Sequence, residues 1–131
     1  MMSDLISVIV PVYNSEHTLT ELYTRLDKVF RETVQEPFEL ILVDDGSKDC
    51  SYQIMEELRQ KDPRVKIIQM ARNFGQHPAL LCGFSHAEGD FIITMDDDLQ
   101  HPPEEIPKLI NTIRERDDVD VIIASYEGRK H

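Results

Sequence analysis

Tryptophan is absent from this chain of 131 residues, cysteine occurs twice and glycine only five times. Cys50 and Cys82 share no CxxC or Cys/His spacing, which excludes a zinc site built on thiolates. Two isolated thiols fit a reduced, cytosolic protein. Neither GxGxxG nor GxxxxGK[ST] occurs, so there is no dinucleotide loop and no Walker loop, and any phosphate must be held in another way. No apolar run reaches the roughly 18 residues that a membrane span needs, and the start of the chain carries Asp4 without a basic segment for secretion. The expectation is a soluble segment on the cytoplasmic side. Basic residues are scarce as well: fourteen Lys and Arg stand against twenty-five Asp and Glu, a formal net charge of -11. Such a surface repels nucleic-acid phosphates and anionic lipid headgroups, so no nucleic acid is expected as a partner.

What the chain does contain is apolar residues, 40% of the total, enough for one domain spanning 1–131 with its own core. Residues 5–10 form an almost continuous β-branched run, the mark of a strand buried on both faces, and Pro11 ends it. Ser15 is placed to cap a helix whose apolar residues Leu19, Leu22, Leu26, Val29 and Phe30 recur at steps of three and four, and which stops near Glu36 and Pro37. A second strand, 38–43, enters Asp44-Asp45-Gly46-Ser47, where Gly46 permits a tight turn and Ser47 or Asp49 caps a helix with the stripe Ile54, Met55 and Leu58. A third strand is expected at 65–70, a helix at 78–87 after a turn that contains Gly75, and a fourth strand at 91–95. Pro102 and Pro103 suit the first turn of a helix that buries Ile106, Leu109, Ile110 and Ile113, and 119–124 reads as a fifth strand. This alternation predicts an α/β fold, a mostly parallel sheet with helices on both faces. Ligands of such sheets bind at the carboxyl ends of the strands, where this chain places Tyr13-Asn14, Asp44-Asp45, Arg72-Asn73 and Asp96-Asp97-Asp98.

The acidic run after the fourth strand is the strongest chemical signal. If the segment stays extended, Asp96 and Asp98 share a side while Asp97 points away. Two converging carboxylates repel each other unless a cation lies between them. A hard divalent ion, Mg²⁺ or Mn²⁺, meets that need and leaves positions for phosphate oxygens. An acidic run can also serve a helix amino terminus alone, but its place after a buried strand, with a second pair at Asp44-Asp45, favours the ion. Arg72 reads equally as a phosphate contact or a surface ion pair, and His101 as a site residue or a loop residue.

The segments SVIVPVYNSEHTL, FELILVDDGSKD and ARNFGQHPALLCGFSHAEGDFIITMDDDLQHPPE, in that order and spacing, resemble the amino-terminal half of family 2 glycosyltransferases of the GT-A fold. DLQHPPE and ARNFGQ look most like the polyprenyl-phosphate, dolichyl-phosphate mannosyltransferase-like members. The resemblance implies a Rossmann-like domain that binds a UDP- or GDP-linked sugar, with Pro11 and Tyr13 at the base and Asp45 with Asp44 at base or ribose. It places Arg72 and Asn73 beside the donor, makes Asp96 and Asp98 the acidic positions of a DxD motif with Gln100 completing the metal site, and gives Asp98 the catalytic position. It implies inverting transfer to an acceptor such as polyprenyl phosphate, in cell-envelope glycan or glycolipid synthesis, by an enzyme at the cytoplasmic face of the membrane. Relatives continue past residue 131, so the acceptor half and any membrane helices would lie beyond this donor part. Two departures stand out. The middle DxD residue, often small in relatives, is Asp97, which either adds charge to the ion or faces solvent; and Arg129 matches a basic acceptor-phosphate position only weakly. A nucleotide-binding module without transferase activity shares every donor-site residue. A signalling receiver domain, the remote alternative, would need an acidic pair after the first strand, where Pro11-Val12-Tyr13-Asn14 stands.

Overall fold

The computed structural model describes residues 4–100, 102–115 and 123–124. Strands β1 (Ile6–Val12), β2 (Phe38–Asp44), β3 (Val65–Gln69), β4 (Phe91–Thr94) and β5 (Ile123–Ala124) form one sheet in the order β3-β2-β1-β4-β5. Every pairing is parallel. The receiver reading fails here, because flavodoxin-like receiver folds run 2-1-3-4-5. Helices α1 (Leu19–Val29), α2 (Ser51–Lys61), α3 (Gln76–His86) and α4 (Ile106–Arg114) connect the strands. The expected ends of β2, β3 and β4 fall within one residue of those observed, β1 runs two residues past its expected end, through Pro11 to Val12, and α3 begins two residues earlier than expected. The expected strand residues 119–122, the side chain of Ile113, His101 and Arg129 lie outside the described residues.

One face of the sheet carries the larger core. Ile6, Val8, Val10, Leu40 and Leu42 pack there against Leu19, Leu22 and Leu26 of α1, Met55 and Leu58 of α2, and Ile106 and Ile110 of α4. The opposite face, with Ile9, Ile41 and Val43, is covered by α3 through Ala79. Helices on both faces explain why β1 and β2 are apolar at nearly every position instead of alternating. Past α1 the chain widens into a π turn, Phe30–Val34, and Gln35 takes φ +58°, which ends the helical path before Pro37 as expected. Phe30 and Phe38 then stack with ring centroids 4.3 Å apart.

Two polar clusters fasten the end of the sheet away from the carboxyl edge. Glu39, buried in β2, accepts from the Ser7 hydroxyl at 2.5 Å and the Glu88 amide at 2.7 Å, and pairs with Lys66 Nζ at 2.6 Å. Burial alone would push its carboxyl up, but Lys66, Ser7 and the amide outweigh it and hold the group below its ordinary range. Asp62, buried after α2, is bonded by Arg64 Nη2 at 2.6 Å and Tyr23 Oη at 2.7 Å, while Arg64 also reaches Asp27 of α1 at 2.7 Å. Arg64 holds the Asp62 carboxyl well below the usual carboxylate range.

The position of Pro11 in a central strand has a structural reason. A proline interrupts a ladder because it has no N–H, yet β4 pairs with β1 only as far as Ile9 opposite Thr94, with one further bond from the Met95 N–H to the Ile9 carbonyl at 3.1 Å. Beyond that point β1 runs beside β2 alone, through Pro11↔Val43 and Val12↔Asp44. The strand order reverses between β1 and β4, so the crevice that opens past Pro11 is where an open α/β sheet binds its ligands.

Candidate active site at the carboxyl edge of the sheet

Three loops and one turn meet at this edge. The β1–α1 loop lies between the other parts and is tied to the β2–α2 loop by side chains. Asn14, at φ +52°, donates its N–H to Ser47 Oγ at 2.9 Å and accepts the Lys48 N–H on Oδ1 at 2.8 Å. The Ser15 N–H reaches Ser51 Oγ at 2.7 Å, and the Glu16 N–H reaches Asp49 Oδ2 at 3.2 Å. Neither Ser47 nor Asp49 holds the cap position of α2, which is Cys50; Asp49, one residue before it, accepts the Ser51 N–H on Oδ1 at 2.9 Å, whereas Ser47 is occupied by Asn14.

The paired aspartates at the end of β2 do different work. Both Asp45 oxygens take backbone amides of the β3–α3 loop, Phe74 N–H at 2.8 Å and Gly75 N–H at 3.0 Å. Asp44, 1% exposed, accepts the Ser47 N–H on Oδ1 at 3.1 Å, and its Oδ2 is buried without a hydrogen-bond partner among the described residues. Gly46 brings the β2–α2 loop against the backbone of Arg72 and Asn73. Together these segments wall an open cleft of about 580 Å³ lined by Asp44, Gly46, Lys48, Gln69, Arg72 and Asn73 among others. The Arg72 guanidinium lies 4.9 Å from the centroid of the Phe74 ring. The surface ion pair considered for Arg72 is not found among the described residues, and Lys48 has none there either. Two cations therefore face one cleft in an acidic protein.

The acidic turn does not keep the geometry expected of it. Extended backbone stops at Thr94, and a turn begins at residue 97, so the alternation that would send Asp97 away from its neighbours does not apply. Asp97 is packed inward. Its Oδ2 accepts the Tyr13 N–H at 3.0 Å and the Ser15 hydroxyl, and its carbonyl accepts Thr18 Oγ1 at 2.6 Å. Burial pushes its carboxyl up, against the opposing pull of Ser15 and the Tyr13 amide. Asp97 thus neither faces solvent nor joins the other two. The same contact corrects the expectation for Ser15: its hydroxyl is turned to Asp97 and to the Tyr13 carbonyl at 3.1 Å, Thr18 precedes α1, and no side chain caps that helix.

Asp96 and Asp98 lie on either side of this anchor. Asp96 Oδ1 accepts Gln76 Nε2 from the first residue of α3 at 2.9 Å, and Asp98 Oδ1 accepts the Gln100 N–H at 3.2 Å. Leu99 between them adopts φ +65°, a left-handed conformation that costs a non-glycine residue about 1 kcal/mol. Its partly buried side chain packs against the main core, which offsets the strain and gives Asp98 and Gln100 a pivot. Asp96, Asp98 and Gln100 offer oxygens, the donor chemistry of a hard cation. Among the described residues no three His, Cys, Asp or Glu side chains gather around one point. One or two carboxylates still suit magnesium or manganese, whose remaining positions go to water and phosphate oxygens.

The structure therefore brings Tyr13, Asp44, Arg72, Asn73, Asp96 and Asp98 to one edge, with Tyr13 43% exposed and Pro11 at the mouth of the crevice. Gln76 and Lys48 were not singled out from the sequence, Asn14 only as a polar residue at this edge, and Ser15 only as a helix cap. Their roles depend on contacts across 20 or more positions, and only the Asn-Ser pair after a strand signals a turn of unusual φ.

The chain matches the family model described as glycosyl transferase family 2 over residues 7–130. It is 50% identical over 115 residues to the undecaprenyl-phosphate 4-deoxy-4-formamido-L-arabinose transferase of Proteus mirabilis, covering 87% of this chain and 35% of that protein. The chain thus spans about a third of the length of such relatives. Among solved structures, residues 1–349 of Staphylococcus aureus TarS in complex with UDP-GlcNAc superpose with a TM-score of 0.68 at 34% identity, over 84% of this chain and 31% of that one. The mannosyltransferase PcManGT of Pyrobaculum calidifontis, in complex with GDP-Man and Mn²⁺, shares the fold at 22% identity and TM-score 0.65, over 86% of this chain and 32% of that one. By its sequence and by its GT-A sheet, the chain belongs to glycosyl transferase family 2.

Proposed function

We propose that this chain is the donor-binding domain of an inverting glycosyltransferase, which moves a sugar from a nucleoside-diphosphate sugar to a lipid phosphate of the polyprenyl type. The observation that carries the reading is the cleft where Asp44, Lys48 and Arg72 meet at the carboxyl ends of β2 and β3, on the same edge of the sheet as the acidic turn that follows β4. Tyr13 and Pro11 flank the base, and Asp44 supplies the acceptor for a base or ribose donor. Asp44 is better suited to that than Asp45, because both Asp45 oxygens already hold the β3–α3 loop. Arg72 and Lys48 face the diphosphate, with Asn73 beside them, and Asp96, Asp98 and Gln100 hold Mg²⁺ or Mn²⁺. Bound there, the cation would neutralise charge on the departing diphosphate. Asp98 is the residue whose position governs that neutralisation. A lipid-phosphate acceptor is already anionic and needs no strong base, in keeping with a site of carboxylates and cations.

The undecaprenyl-phosphate transferase at 50% identity supports the lipid acceptor, and the UDP-GlcNAc complex of the TarS neighbour supports a nucleotide-sugar donor. Such an acceptor puts the whole enzyme at the cytoplasmic face of a membrane; among the described residues no helix is long and apolar enough to cross one.

Calorimetric titration with UDP and GDP, each with Mn²⁺, Mg²⁺ or chelator, tests the reading. One nucleotide should bind, and chelator should weaken it at least about tenfold, the scale of one charge-assisted contact. Asp98→Asn should abolish the metal dependence, and Asp44→Asn should weaken binding with the metal dependence intact. Failure of both nucleotides to bind, or binding indifferent to metal and to both substitutions, would overturn it.

A further inference from the structure

We propose that Asp97 is a positioning residue, whose carboxylate clasps the β1–α1 loop onto the acidic turn and so holds Tyr13 in place for the nucleotide. The inference rests on the donor-site reading above, yet its geometry is independent of it. β1 and β4 stop pairing at Ile9 and Thr94, so among the described residues no sheet hydrogen bonds join the two sides of the crevice beyond the Met95 amide. Side chains span the gap instead. One oxygen of Asp97 accepts both the Tyr13 N–H and the Ser15 hydroxyl, whose oxygen also lies 3.1 Å from the Tyr13 carbonyl. The Tyr13 N–H is thereby fixed from the β4 side, and Ser15, held by the same carboxylate, lies against the Tyr13 carbonyl from within the loop.

On its other side the same loop is held by Asn14 to Ser47 and Lys48. Tyr13 is therefore suspended between two anchors, 43% exposed at the mouth of the site. Losing the Asp97 anchor frees the loop toward the crevice. The Thr18 hydroxyl bonds the Asp97 carbonyl, not its side chain, so the turn keeps a tether when the carboxylate is removed. A small residue at this position, as the resemblance leads one to expect, could not make the clasp; its presence is particular to an acidic or amide side chain.

The test compares Asp97→Ala with Asp97→Asn in the 131-residue chain, by nucleotide titration with Mn²⁺ and by amide hydrogen exchange. An asparagine oxygen can accept both donors, whereas alanine accepts neither. Expected are UDP or GDP affinity within about threefold of the parent for Asp97→Asn and at least about tenfold weaker for Asp97→Ala. Tyr13 amide exchange should be about tenfold or more faster in Asp97→Ala alone, with α2 and β2 amides unchanged. Parent-like affinity or parent-like Tyr13 exchange in Asp97→Ala would overturn the proposal. Equal weakening by both variants would also overturn it, because negative charge and not hydrogen bonding would then be what the site requires. If the parent chain binds neither nucleotide, the donor-site reading falls; Tyr13 exchange then decides the clasp, and the positioning role falls with the reading.

Discussion

Gly46 shows how much of this edge depends on one missing methyl group. Its φ is +78°, and a Cβ would lie 2.5 Å from the Asn73 nitrogen and 2.7 Å from the Arg72 carbonyl carbon. Those are backbone atoms and cannot swing aside. Gly46→Ala should cost about 1–3 kcal/mol in urea unfolding, from strained φ and overpacking together, and should weaken nucleotide binding by parting the loops that wall the cleft. Unchanged stability and affinity would show that the two loops need not touch. Gly46 was legible in the sequence because a DDGS turn after a strand asks for positive φ. The direction of Asp97 was not. Residue alternation holds only while the backbone stays extended, and the end of β4 at Thr94 is decided by its neighbour, in which Pro11 lies just past the last paired residues. Asp44 and Asp45 were legible as a pair but not as distinct partners, since the amides of Phe74 and Gly75 reach Asp45 across about thirty positions of sequence.

The elements were easier to read than the contacts between them. Long β-branched runs and a three-four apolar stripe report burial directly, which is why β1, β2 and α1 emerged with their cores correct. Helix α3 lacks a clear stripe, because it lies against the sheet through small residues: Ala79 is fully buried, and Gly83 admits Ile9 so closely that a Cβ would fall 2.5 Å from Ile9 Cγ2. Ile9 is β-branched, buried in the central strand and has little freedom to turn. Gly83→Ala, although it raises helix propensity by about 1 kcal/mol, should therefore be destabilising by a net amount on the order of 1 kcal/mol. A shift of the urea midpoint to lower concentration with an unchanged slope would register it. Stabilisation would mean that α3 can ride outward without loss. Such a shift would also move Gln76, and with it the partner of Asp96.

At the scale of the whole molecule, stability depends on ionised carboxylates. Asp62 is depressed in the folded chain by Arg64, so it binds protons more readily unfolded than folded, and its contribution is complete above its unfolded value of about 4. That contribution declines as pH falls toward the depressed folded value. Glu39, lowered by Lys66, Ser7 and the Glu88 amide against its own burial, acts with the same sign. Asp62→Asn should cost about 1–3 kcal/mol at pH 7 by urea unfolding, and the difference from the parent chain should narrow as pH drops from 5 to 3. A difference constant across that range would remove Asp62 from the acid response. Neither network was legible in advance: Asp62 reads as a turn residue before Pro63, and Glu39 as a stray charge in an apolar strand.

The Lys66 pairing also protects the open side of the sheet. β3 is an edge strand, and a bare edge invites another chain to add a strand and start aggregation. Lys66 stands in its second position with its ammonium committed to Glu39 and Glu88, both at 2.6 Å. An incoming strand would have to bury that charge or break both bonds, so the contact that neutralises a buried glutamate also discourages fibril growth from the β3 edge.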